Sequence, residues 1–164
     1  MRKTILAVVA AMVVSAGALS AQEAVASRGG TATITIPTLL HIDVTNLSVE
    51  FDAPSFTDFT AEMIEANSEA SVIDTRGNVV HDVTIEADAE NMAGPWSKPA
   101  SHLEWSTDGS NWTGLSTSAA DVVTGVARGS NATVASVLYR MVLDEEEDVP
   151  GTYTLDFTYT VIAN

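Results

Sequence analysis

"VPGTYTLDFTYTVIAN", residues 149–164, is the stretch whose reading decides the fold. Apolar and aromatic side chains fall at Tyr153, Leu155, Phe157, Tyr159, Val161 and Ala163, and the positions between are mostly Thr. A period of two places one set on a single face of a strand, and aromatic and β-branched residues suit that pleated surface. The stretch is therefore a strand with one buried face.

Working outward, the same period recurs. In "ATVASVLYRMVL" (132–143), Ala135, Val137, Tyr139, Met141 and Leu143 share one face, and Val134, Leu138 and Val142 share the other. A strand apolar on both sides belongs inside a sheet. The final strand is expected to pair antiparallel with it, because only the short acidic turn "DEEEDVPG" separates the two. At the other end, "TATITIPTLLHIDV" (31–44) aligns Ala32, Ile34, Ile36, Leu40, Ile42 and Val44. Pro37 lacks an N–H, so this opening strand sits at an edge or bends there. "LSVEF" (47–51), "VVHDVTIEA" (79–87) after a "TRGN" turn, and "DVVTGVA" (121–127) read as further strands. "HLEWSTDGSNWTGLS" (102–116) reads as a hairpin turning at Asp108-Gly109.

Two segments depart from this rhythm. "PSFTDFTAEMIEANSEA" (54–70) spaces Phe56, Phe59 and Met63 closer to a helical period, giving one short helix near 56–66 or an irregular crossover. "DAENMAGPWSKPA" (88–100) has no period at all, and loops of this length are often functional or cover one end of a core. The sum is an all-β chain, a single antiparallel β-sandwich of immunoglobulin-like or pilin-like type with about 7–10 strands. Its expected core holds Ile34, Ile36, Val83, Ile85, Val137, Tyr139, Tyr153, Leu155 and Phe157.

The beginning of the chain points to export. Arg2 and Lys3 precede an uncharged run from Thr4 to Gly17, followed by the small residues of "AGALSAQEA". This is the pattern of a secretory signal peptide, assigned to residues 1–21, and it is too short for a stable membrane span. Residues 22–164 then form one domain, destined for the extracellular space, the cell surface or the periplasm. There is no cysteine, so the domain is held by packing alone. Losing Arg2 and Lys3 from seven basic residues leaves five against 22 acidic ones, a formal charge of −17. Such a surface repels nucleic acid and anionic lipid.

The closing plan resembles a recurring type of exported bacterial protein. Tyr139 lies in the long strand; Pro150, Gly151 and Tyr153 follow the acidic turn, and the alternation runs on to Val161. In this it resembles the secreted pilin-like β-sandwich proteins, including the spore coat protein U and chaperone–usher fimbrial families. Those families usually carry a disulfide, which this chain lacks. The resemblance implies structural or adhesive work outside the membrane, with no catalytic residues to carry over. In the fimbrial families the exchanged segment is N-terminal, as is the alternating run that follows Gly29-Gly30 here.

Candidate sites are few. Asp144, Glu145, Glu146, Glu147 and Asp148 are the densest run of acids and the candidate calcium site, but consecutive acids on a turn do not all face one ion, and a solvated loop explains them better. No other cofactor is implied. Ser106, Asp108, Gly109 and Trp112 resemble an Asp-box hairpin one residue short, in which the Asp caps its own turn. Trp96, Trp105 and Trp112 are all the tryptophans; Trp105 follows the core alternation, while Trp96 and Trp112 are the candidate ligand-binding platforms. His41, His81 and His102 show no metal-ligand spacing, and no nucleophile elbow or triad is present. The expected role is a non-enzymatic surface or extracellular structural protein whose partner is itself or another surface protein. The alternative is a secreted binding module that takes polysaccharide, protein or cation through the 88–100 loop.

Overall fold

The computed structural model describes residues 28–129 and 132–164. The expected signal peptide, 1–21, lies outside the described residues. The chain divides into two compact units, Met1–Thr35 and Ile36–Asn164. In the first, residues 28–35 carry no helix or strand and are exposed. The second is a β-sandwich with nine strands among the described residues: β1 (Leu40–Thr45), β2 (Met63–Glu65), β3 (Ser71–Gly77), β4 (His81–Ala87), β5 (Leu103–Ser106), β6 (Thr113–Gly114), β7 (Ala120–Val126), β8 (Ala132–Val142) and β9 (Phe157–Ala163). One α-helix, α1 (Phe56–Ala61), precedes β2. No helix among the described residues is long and apolar enough to cross a membrane.

Strand β8 is the centre of the larger sheet, as its two apolar faces predict. Its first half pairs with β3 and its last residues with β2 on the same side, while β5 pairs with it on the other. The order β1-β3-β8-β5-β6 completes that sheet, and β7-β4-β9 forms the second. All pairings are antiparallel.

The final strand does not pair with 132–143. It pairs with β4 through seven rungs, from His81↔Ala163 to Ala87↔Phe157. Residues 149–156 carry the chain over to the other sheet, so β8 and β9 meet face to face across the core. Tyr139 and Phe157 rings lie 5.6 Å apart, and the Tyr139 and Tyr159 hydroxyls are in hydrogen-bond contact. Around them Ile73, Val83, Ile85, Leu103, Trp105 and Val137 are buried, with Tyr153, Leu155 and Phe157 packed at the margin.

The opening alternation also breaks its promise. The strand begins only at Leu40, whose partner Gly77 is the last residue of β3, so residues 36–39 have no rung to join. Asn78 holds the chain there instead, donating from Nδ2 to the Pro37 carbonyl at 2.7 Å and accepting from the Leu39 N–H at 2.8 Å. Ile34 and Ile36, expected in the core, are 82% and 70% exposed. "LSVEF" forms no strand; Val49 and Phe51 are half-buried, and the Asn67 N–H bonds the Glu50 carbonyl.

The helix is real but short. Ser55 and Asp58 form a reciprocal capping box, and Glu62 stops the helix in the left-handed region at φ 57°. None of its residues is buried, so α1 borders the core rather than filling it.

A candidate interaction groove

Where the two sheets part, a groove opens between residues 47–54 and 149–157. It consists of adjoining hollows of about 720 and 400 Å³ that share Val49, Phe51, Met141 and Tyr153. Phe59, Ile64 and Leu143 extend the apolar lining at one end, and Leu103, Leu155 and Phe157 at the other. Its two banks lack regular ladders: 47–54 forms no strand, and 149–156 makes only the isolated bridge Ala93↔Thr154. The core side chains at this side are therefore left half-covered.

The 88–100 loop fixes one bank. Ala93 and Thr154 exchange backbone bonds at 2.8 and 2.9 Å. A Cβ on Gly94 would stand 2.5 Å from Tyr153 Cδ1, and one on Gly151 would stand 2.5 Å from Pro95 Cγ, so glycine is required at both close approaches. Lys98, from the same loop, reaches under the groove to Asp148 at 2.5 Å. Their side chains are 3% and 9% exposed, which makes this a buried ion pair. The other Asp148 oxygen accepts the Asp144 N–H at 3.0 Å, and Asp144 Oδ1 accepts the N–H groups of Glu146 and Glu147. His102 sits beside this cluster; loss of hydration there, reinforced by the Lys98 charge, holds its imidazole below the usual range.

The acidic run is thus divided. Asp144 and Asp148 face inward as turn caps and ion-pair partner, while Glu145, Glu146 and Glu147 are exposed. Among the described residues no three or more His, Asp or Glu side chains are grouped so as to hold a metal ion.

The tryptophans separate as well. Trp105 is buried in the core with no partner for Nε1. Trp96 is partly exposed, and its carbonyl accepts the Lys98 N–H at 2.9 Å. Trp112 lies on the outer face of β5–β8, under the Arg140 guanidinium at 4.6 Å, with Arg140 also bonded to Glu104. The structure does not bring Trp96 and Trp112 together: each packs in its own place. Asp108 accepts the N–H groups of Ser110 and Asn111, the Asn111 amide and the Ser106 hydroxyl, and these bonds hold its carboxylate far below the usual range. The hairpin is a self-capped turn.

His81, fully buried, faces two partners: Nδ1 donates to the Val79 carbonyl, which can only accept, and Nε2 meets the Thr75 hydroxyl at 2.9 Å. The residues that build the groove, Val49, Phe51, Met141 and Lys98, were not among the candidate site residues, although Met141 was expected on one face of its strand and 47–51 was expected to be a strand. Lys98 carries a hint only in retrospect, as the one cation between Asp88 and Arg128. No model of a known protein family matches the chain, and no curated protein does.

Proposed function

We propose that this is an exported, non-catalytic structural subunit of a fibre, coat or matrix, and that it assembles by strand pairing between copies. One observation carries the reading: the alternating run 31–36 presents Ile34 and Ile36, large aliphatic residues, to solvent at 82% and 70% exposure. Scattered exposed hydrophobics are ordinary, but two in strand phase in a segment without ladder bonds form half of a sheet pair. The groove supplies apolar pockets that alternate side chains of a docked strand can fill, and six extended residues span about 20 Å. In this reading the 31–36 run of one copy docks on another, and the acidic exterior keeps the assembly solvated.

Analytical ultracentrifugation of the mature protein tests this, alongside a form lacking residues 22–36 and the double variant Ile34→Asp/Ile36→Asp. The expected result is concentration-dependent assembly of the native chain, with both altered forms folded but unable to form higher oligomers. A native chain that remains monomeric at all concentrations, or altered forms that polymerise unchanged, would overturn the reading.

A further inference from the structure

The backbone of β9 has a parity that can be read from its bonds. The Asp88 N–H donates to the Asp156 carbonyl at 2.9 Å, and the Asn164 N–H donates to the Val80 carbonyl at 3.0 Å. In the antiparallel register with β4, bonded pairs alternate, so Thr158, Thr160 and Ile162 spend their N–H and C=O groups on β4. The corresponding groups of Phe157, Tyr159, Val161 and Ala163 point to the outer side of β9, where no strand among the described residues is hydrogen-bonded to it, although β1 of the facing sheet comes close to β9.

Exposed edges are normally blocked by charge, proline, bulges or shortness. The other edges here follow that rule. β7 has two register shifts and Gly125 at φ 66°. β6 is two residues long. β1 carries His41 and Asp43. β9 has seven residues with no charge, proline, glycine or bulge.

We infer that β9 pairs with β9 of a second copy, antiparallel, about a two-fold axis at Thr160, joining the two three-stranded sheets into one of six strands. The free rungs are self-complementary: Phe157 meets the partner copy's Ala163, and Tyr159 meets Val161, so odd residues bond to odd residues throughout. Charge selects the same place. Two mature chains of formal charge −17 repel across most of their surface, and β9 offers a neutral strip that includes the exposed Ile162. This inference rests on the proposed assembly by strand pairing, but it uses a different strand from the 31–36 run, so either can fail alone.

A cysteine scan tests it, aided by the absence of native cysteine. Thr160 is exposed, so Thr160→Cys leaves the fold intact, and at the axis it faces its own copy in a non-bonded pair, close enough for a disulfide. With diamide as oxidant, Thr160→Cys is expected to give covalent dimer at least about tenfold faster than Thr158→Cys or Ile162→Cys, whose opposite positions are not themselves. Thr160→Lys should dissociate the dimer by opposing like charges, while deletion of residues 22–36 should leave the dimer in place. Three results would overturn the inference: equal cross-linking at all three positions, a Thr160→Lys variant that dimerises normally, or dimerisation lost with residues 22–36. In the last case the N-terminal run occupies this edge.

Discussion

Tyr139 and Tyr159, from opposite sheets, meet hydroxyl to hydroxyl at 2.5 Å. Burial raises both phenols above the ordinary tyrosine range, and for Tyr159 the neighbouring Tyr139 adds to the effect. Each hydroxyl completes the other's hydrogen bonding in a core that offers little else beyond the Ser71 hydroxyl. Tyr159→Phe is expected to cost about 1 kcal/mol, and the double change to Phe at both positions less than the sum of the singles, because no phenol is then left unpaired. Urea denaturation of the four proteins gives the cycle.

The same pair sets an alkaline limit. A raised folded-state pKa contributes stability that is complete below the unfolded value, about pH 10, and is lost as pH rises beyond it. Stability of the native chain should fall above about pH 10, and the double phenylalanine variant should fall less steeply. Identical slopes would mean that these phenols are not the groups being held neutral.

Phe157 packs against both tyrosines, tilted on Tyr139 at 5.6 Å and edge-on to Tyr159 at 5.9 Å. Phe157→Ala should cost about 3 kcal/mol, the lower end for a phenylalanine because this one is only partly buried. A measured loss below about 1 kcal/mol would show that β9 does not close the core.

The ion pair of Lys98 and Asp148 anchors one end of the groove. Lys98→Met leaves the Asp148 carboxylate buried without its partner and should cost about 3 kcal/mol, whereas Lys98→Met with Asp148→Leu should regain most of that loss. Chemical denaturation of both variants decides it; equal destabilisation would mean that the turn opens and solvates Asp148. Because Asp144 and Asp148 are already engaged, millimolar calcium should leave the melting temperature nearly unchanged.

How far the sequence revealed this structure depends on where burial and periodicity coincide. β4, β7, β8 and the 102–116 hairpin were legible because apolar residues alternate there. β3 was not, since Ser71 and Thr75 occupy buried positions and only Ile73 marks its inner face; their hydroxyls are spent on the Asn46 carbonyl and His81. The partner of β9 was misread because period two fixes a strand's faces and says nothing of its neighbour. Ile34 and Ile36 were misread because their pattern is a strand's while the rung they need stops at Gly77. The groove was illegible for a related reason: its banks, 47–54 and 149–156, have no regular ladder, and the buried state of Lys98 depends on Asp148, fifty residues away.

His102 gives the last prediction. Its Nδ1 is buried without a hydrogen-bond partner, and loss of hydration is the main reason its imidazole is held below the usual range, with Lys98 acting in the same sense. Asp148, Asp144 and Glu147 pull the other way and do not prevail. The depressed value means that the unfolded chain takes up a proton first as pH falls. Above about pH 6.5 the residue is neutral in both states and makes no pH-dependent difference. Below that, stability should decline until the folded form protonates too. His102→Asn removes the titrating group while keeping a polar side chain. Urea midpoints at pH 7.5, 6.5 and 5.5 should fall for the native chain and stay nearly level for the variant. If both fall equally, the acid sensitivity arises elsewhere, and His102 is hydrated in the folded protein.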